Sequence, residues 1–194
     1  MPRLSLNSCF ILDYDRSIIA RLFYTINYTQ KSVNKSLLYH LTAEFSTEIN
    51  EINFLHDVVK ALNESEKSPF FKRIKMLGVS PREMDSDDKK MMTLSQAFLI
   101  DYFLYTLIAK KVSSAIQPIF YYYYKHDERF AIVRFIVSYF TAAKEILPEW
   151  DNPKESMISK SVGVGALIKV LNYVFIKIFI EYNGGFNSQV QQVD

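Results

Sequence analysis

Apolar side chains recur every three or four positions along most of the chain. This spacing is typical of helices that bury one face. It predicts six helices, over about residues 16–26, 33–45, 48–64, 94–112, 128–147 and 156–182. Capping residues precede most of them, namely Asp15, Ser32 or Asn34, Thr93 with Gln96 as a capping box, and Asp127. Pro148 ends the fifth helix, and the Asn183-Gly184-Gly185 sequence ends the last.

Two other segments have the composition of short strands. Leu6–Asp13 is an apolar run ahead of the first helix. Phe70–Leu77 lies inside the stretch 65–88, which interrupts the helical pattern with Pro69 and Gly78. We therefore expect a mainly α, multi-helix fold with one or two short strands, in which 65–88 is the flexible or inter-lobe connection.

Composition narrows the class of protein. The 194 residues are 49% hydrophobic and 23% charged, as in ordinary globular proteins. Lys plus Arg number 23 against 21 Asp plus Glu, and this net charge of +2 excludes a protein that coats DNA by charge alone. The single cysteine, Cys9, excludes an internal disulfide framework and a cysteine-based zinc site, and it favours a reducing, cytoplasmic location.

The stretch with the most membrane-like composition is Val162–Ile180. Lys169, Asn172 and Lys177 lie on one face of this predicted helix together with Tyr173. A spanning helix would bury two charges there, whereas an amphipathic core helix would leave them in water. The N-terminal sequence also lacks the long apolar region of a signal peptide. We therefore predict a soluble protein without a membrane partner.

Sequence motifs for metal binding and catalysis are absent. His40, His56 and His126 stand alone, without the H-x-x-x-H or H-E-x-x-H spacing of metal sites. The G-x-G of Gly163 and Gly165 lacks a third glycine, and its lysine has the wrong order for a P-loop. We interpret these glycines as points of close backbone approach. The sequence thus predicts no metal site, no cofactor and no catalytic residue.

Two groups of residues are candidates for binding. Lys72 and Arg73, with Lys67 and Lys75, surround Phe70 and Phe71, as in surfaces that hold a nucleic-acid backbone and stack bases. A solvated strand face with its aromatic rings in the core explains the same pattern. The second group is the polar loop with Asn27, Thr29, Gln30 and Lys31. It could bind the polar edge of a ligand, such as a nucleotide substrate, or simply cap the following helix.

Three segments resemble DGQHR-domain proteins, the group that includes the DndB-like proteins associated with DNA phosphorothioation. Residues 23–37 resemble the family's F-x-T-I-N-x-x-Q-x-x-V-x-x-S-L segment. Residues 68–74 resemble its S-P-F-x-x-R-I segment, and Trp150 with 156–171 resembles its C-terminal W … K-x-x-G-x-x-A-L helix. The three occur in the family's order and span about residues 9–180. The resemblance implies that Asn27 and Gln30 line the family's site or support it.

The family's Asp-Gly-Gln-His-Arg motif is absent from this sequence. The resemblance implies a ParB/sulfiredoxin-like α/β domain of which the last strand and the helical remainder are present. On this interpretation residues 1–64 are the end of a truncated DGQHR-like domain, 65–92 a connecting segment, 93–185 a C-terminal helical region and 186–194 a tail. The chain is then a fragment, a split gene product or a degenerate paralogue.

The resemblance predicts a prokaryotic, cytoplasmic protein linked to DNA modification or anti-phage defence. We expect it to act by binding DNA, a protein partner or a second copy of itself, rather than by catalysis of its own. The alternative is a helical interaction module that completes a separately encoded DGQHR lobe. The surface left by the absent lobe should then be apolar.

Overall fold

Helices dominate the part of the chain that can be described. The computed structural model describes residues 34–45, 50–77, 85–109 and 118–182, together with residues 18, 19, 22 and 25, which are helical. The helices are α1 (Lys35–Phe45), α2 (Glu51–Glu64), α3 (Ser86–Met91), α4 (Gln96–Phe103), α5 (Tyr121–Lys125), α6 (Arg129–Ile146) and α7 (Ser161–Tyr182). A π-helical segment, Leu104–Ile108, continues α4, and a 3-10 turn, Pro148–Asp151, follows α6.

Two short strands complete these elements. Strand β1 (Ile74–Lys75) pairs in parallel with β2 (Leu94–Ser95), with Ile74 beside Leu94 and Lys75 beside Ser95. The predicted mainly α fold with one or two short strands is therefore confirmed. The predicted strand Leu6–Asp13 lies outside the described residues.

Of the two alternative caps predicted for α1, Asn34 is confirmed, as is the end of the helix at Phe45, and Ser32 lies outside the described residues. The Asn34 side-chain oxygen accepts a hydrogen bond from the Ser36 amide at 2.9 Å, which satisfies one amide of the first turn. In α2 the cap is Asn50, whose side chain accepts from the Asn53 amide, so this helix begins three residues later than predicted. Pro148 ends α6 as predicted and begins the 3-10 turn.

Two other predicted caps are wrong. Ser95, not Thr93, caps α4, because its hydroxyl accepts from the Phe98 amide, while the Thr93 hydroxyl donates to the Ser159 carbonyl at 2.7 Å. The capping box fails because Leu94 and Ser95 form a strand. Asp127 does not cap α6 either: its backbone has a positive φ of 54°, and its carboxylate pairs with Arg129.

The predicted strand Phe70–Leu77 is reduced to Ile74–Lys75. The chain turns through Ser68–Arg73, where the Phe70 amide donates to the Ser68 hydroxyl and Lys72 has a φ of 54°. These local hydrogen bonds take the place of a strand ladder. Phe70 itself is fully buried. Its ring centroid lies 4.7 Å from that of Phe140 and 5.9 Å from that of Trp150.

One hydrophobic core joins elements from both sides of the predicted connecting segment. Helix α2 packs against α4 and α6, and α4 packs against α7. Helix α1 is attached to α4 through Asp101, which accepts from the Lys35 ammonium at 2.7 Å and from the Tyr39 hydroxyl at 2.6 Å. Burial and this hydrogen bond raise the pKa of Tyr39 to about 12. The hydroxyl therefore stays protonated as a donor near neutral pH.

Helix α7 is buried on one face only, as its pattern predicts. Val164, Ile168 and Leu171 are in the core, whereas Lys169 and Lys177 are exposed. Asn172, predicted on the same water-facing side as these lysines, is instead partly buried and donates to the Thr106 carbonyl at 2.9 Å. By length and composition the stretch Ser161–Glu181 could nevertheless cross a membrane, with a mean hydropathy of 1.8 and 22% of it buried. Core helices of soluble proteins pass the same test of length and composition but are mostly buried, so the absence of a membrane partner remains a prediction.

Candidate functional site

A pocket opens at the amino end of α7, where this helix approaches α3 and the two strands. Its volume is about 450 Å³. It is lined by four lysines and two hydroxyl side chains, with three apolar residues between them. These residues, which we call the lysine pocket, are Lys75, Lys89, Lys90, Lys160, Thr93, Ser161, Met92, Met157 and Val162. The clustering of ammonium groups and hydroxyls makes it a candidate anion site.

Strand pairing and one hydrogen bond assemble the lysine pocket. The β1–β2 pair holds Lys75 beside Ser95, which lies two residues after Thr93. The Thr93 hydroxyl donates to the carbonyl of Ser159, which fixes the segment that leads into α7. Lys160 follows immediately. Residues that are far apart in sequence therefore line one cavity.

Gly163 allows the chain to fold tightly at this end of α7. Its amide donates to the Met157 carbonyl at 3.2 Å, and a Cβ atom there would overlap the backbone of Met157 and Ile158. Gly165 approaches the Tyr102 ring in the same way, since a Cβ would lie 2.7 Å from ring atom Cε1. The predicted close approach to backbone is confirmed for Gly163, whereas Gly165 meets a side-chain ring. In addition, their neighbours Lys160 and Ser161 line the pocket, which the sequence interpretation missed.

The charges around the lysine pocket favour an anionic ligand. The Lys90 ammonium lies 2.7 Å from the Asp87 carboxylate, and this hydrogen bond, with a further effect of Lys154, lowers the pKa of Asp87. Across residues 34–45, 50–77, 85–109 and 118–182, no carboxylate lies within 4.0 Å of the ammonium of Lys75 or Lys160. The positive end of the α7 dipole adds to their field.

The structure separates two of the cations that were predicted to bind, Lys72 and Arg73. Arg73 is used within the fold: its guanidinium lies 2.6 Å from the Asp151 carboxylate and also donates to the Trp150 carbonyl. Lys72 is exposed, with its ammonium 5.0 Å from the centroid of the Phe71 ring. Neither lines the lysine pocket. Lys75, from the same cluster, does.

The other predicted binding residues cannot be placed. Asn27, Thr29, Gln30 and Lys31 lie outside the described residues. They directly precede the segment that begins with Asn34 and α1. Whether they bind a ligand or cap the helix therefore stays a prediction.

Two histidines that the sequence analysis treated as isolated lie next to each other. His40 Nδ1 is 3.2 Å from His56 Nε2, and His56 Nδ1 is 3.4 Å from an oxygen of Asp57. The other Asp57 oxygen pairs with Arg129. In the part of the chain that the structure describes, no three His, Cys, Asp or Glu side chains are grouped as a metal site would require. This polar array thus connects α1, α2 and α6 without the ligand set of a metal centre.

Comparisons with known protein families, with curated proteins and with solved structures find no match for this chain.

Proposed function

We propose that this chain is a DNA-binding protein of the DGQHR-like group, associated with DNA modification or anti-phage defence, and that it binds phosphate through the lysine pocket. The observation that supports this proposal is that four lysines line one pocket at the amino end of α7, among them Lys75 and Lys160, which have no described carboxylate within 4.0 Å. The proposed role is binding, without catalysis by this chain. The ordered sequence motifs connect it to DNA modification.

Local charge matters here because the overall charge is small. A net charge of +2 gives little general attraction to DNA. Phosphate oxygens accept hydrogen bonds from ammonium groups, hydroxyls and the free amides of a helix amino end. The lysine pocket offers ammonium groups and hydroxyls, and Ser161, the first residue of α7, places it beside the amino end of that helix, where the Gly163 amide is already bonded to the Met157 carbonyl. Binding at this site would be sensitive to salt, because each phosphate contact releases condensed counterions.

A titration with duplex DNA at about 50 mM and about 200 mM salt tests the proposal. We expect binding by the folded protein that weakens as salt increases. In the double variant Lys75→Gln/Lys160→Gln, affinity should fall about tenfold, and the slope of log affinity against log salt should decrease by about 2. Glutamine keeps most of the side-chain length, so packing of the aliphatic part is largely retained.

The matched control is the double variant Lys125→Gln/Lys177→Gln. Both lysines are exposed and lie in α5 and in the carboxyl-terminal half of α7. This control variant removes the same charge as Lys75→Gln/Lys160→Gln and should change the affinity for duplex DNA less than twofold. Equal losses in the two variants, or no salt-sensitive binding at micromolar protein, would contradict the proposal.

A second candidate function is supported by the exposed apolar side chains of α7. Tyr173 is 75% exposed, and Val170, Ile178 and Ile180 are exposed as well. A helix that is apolar on several sides is usually buried against other protein, not exposed to water as this end of α7 is. This favours a module that binds a partner, for which we propose a separately encoded DGQHR lobe.

Mixing the chain with the polypeptide encoded by an adjacent DGQHR-bearing reading frame tests this second function. Sedimentation should show a complex, and Tyr173→Glu/Ile178→Glu should weaken it, because the added carboxylates would be buried at the contact. Phe130→Glu is the control, since Phe130 is also exposed but lies on α6. A chain that stays monomeric and soluble at high concentration, without binding that lobe, would argue against this function.

A further inference from the structure

We infer that the lysine pocket prefers the terminal phosphate of a DNA strand, a phosphomonoester, over the internal phosphodiesters of the backbone. This inference rests on the proposed function, because it assigns a particular DNA group to the same site. It goes further in predicting that strand ends, and not duplex DNA in general, are the ligand.

The shape of the site supports a single phosphate group. The residues that line it come from β1, from α3 and the turn after it, and from the segment around the start of α7. The site is an open depression of about 450 Å³, which accommodates one phosphate with its attached sugar. Lysines that tracked a continuous backbone would instead be spread along an extended groove.

The charge of the site supports a phosphomonoester. Several ammonium groups in one cavity repel one another, and Lys75 and Lys160 have no described carboxylate within 4.0 Å. A terminal phosphate has a charge of about −1.5 to −2 near pH 7 and three oxygens that accept hydrogen bonds. An internal phosphodiester has only one negative charge. The terminal group therefore offsets more of the repulsion within the cavity.

The hydroxyl groups of the site have different roles in this arrangement. The Thr93 proton is already donated to the Ser159 carbonyl, so Thr93 positions the wall of the cavity. Ser161, at the first position of α7, supplies a hydroxyl donor beside the amino end of the helix. Together with Lys75 and Lys160 it provides donors for all three terminal oxygens.

Two duplexes of identical sequence, one with 5′-phosphates and one with 5′-hydroxyls, test the inference. We expect the folded protein to bind the phosphorylated duplex about tenfold more tightly, as measured by fluorescence anisotropy at constant salt. The preference should decrease as pH falls below about 6, because the phosphomonoester then takes up its second proton. Lys75→Gln/Lys160→Gln should reduce the preference to less than twofold, whereas Lys125→Gln/Lys177→Gln should retain it.

The outcomes separate the inference from the proposed function. Equal binding of the two duplexes, with salt dependence, would overturn the terminal-phosphate preference and leave DNA binding in place. A preference that persists in Lys75→Gln/Lys160→Gln would place the terminal phosphate elsewhere and would also overturn the inference. Failure of the folded protein to bind either duplex would overturn both.

Discussion

His40 Nδ1 lies 3.2 Å from His56 Nε2 and so connects α1 to α2 by a hydrogen bond between two imidazole rings. The hydrogen-bond network assigns the proton positions. His56 donates from Nδ1 toward Asp57, which leaves its Nε2 to accept from His40. His56 must be neutral for this arrangement. His56 is only 3% exposed, so a charge on its ring would be buried. The contact between α1 and α2 therefore depends on the protonation state of His56.

Stability should therefore decrease as the pH falls through the histidine range. Burial, the largest influence, lowers the pKa of His56 below 6.5 in the folded protein. Between 6.5 and the lower folded value the unfolded chain binds a proton at this site and the folded chain does not. Urea unfolding should show a smaller free energy of unfolding at pH 5.5 than at pH 7.5. His56→Gln should reduce this dependence and His126→Gln should retain it; greater stability at pH 5.5 would contradict the assignment.

Replacing one buried ring should cost far more than the same replacement on the surface. Phe140 is fully buried against Phe70 and Trp150, whereas Phe130, on the same helix, is 84% exposed. Phe140→Ala should lower the free energy of unfolding by about 3–5 kcal/mol, because it leaves a cavity. Phe130→Ala should change it by less than about 0.5 kcal/mol. Trp150, the single tryptophan, reports both transitions by fluorescence, and similar losses would contradict the packing.

Arg73 should contribute to stability rather than to ligand binding. It joins the 66–73 turns to the 3-10 turn through Asp151 and the Trp150 carbonyl. Burial acts to raise the pKa of Asp151, but Lys144 and Arg73 outweigh it and keep this pKa below its usual value. Arg73→Gln should lower the free energy of unfolding by about 1–2 kcal/mol and raise the pKa of Asp151. Lys72→Gln is the control, expected within about 0.5 kcal/mol of the wild type. A larger effect of Lys72→Gln would overturn this assignment.

Gly163 should tolerate alanine poorly. A Cβ there would overlap the backbone of Ile158, which cannot move without shifting the start of α7, so we expect a loss of about 2 kcal/mol or more. Gly165→Ala should cost less, because it meets the end of the Tyr102 ring and gains helix propensity. Ala166→Gly, at an exposed position of the same helix, should cost about 1 kcal/mol from propensity alone. Thermal unfolding measures all three, and a neutral Gly163→Ala would contradict the geometry.

Local patterns predicted the helices well and the caps less well. The apolar periodicity over residues 128–147 predicted α6, and two of its apolar residues, Ile132 and Ile136, are buried, because helical periodicity depends only on neighbouring residues. Thr93 fits the capping-box pattern equally well by sequence, but Leu94 and Ser95 pair with β1 and move the cap to Ser95. A strand partner about 20 residues away decided this boundary.

The candidate site was accessible to sequence analysis only in parts. Lys75 was noted as one of a basic cluster, and Lys160 as the start of a G-x-G segment, without any signal that joined them. Arg73 and Lys75 are equivalent by composition and two positions apart. Arg73 ends the turns over residues 66–73 and pairs with Asp151. Lys75 lies in the strand β1 that follows, and so it lines the lysine pocket.

The sequence by itself determined most of the helical segments, although not α3 within the predicted connecting segment, and it determined where glycine allows close approach, since each depends on backbone preferences within a few residues. Only the tertiary structure decided that Lys75, Lys89 and Lys160 share one cavity and that His40 meets His56. The physical reason is that proximity between distant residues is set by how whole helices pack around the core. The local spacing of residues does not contain that information.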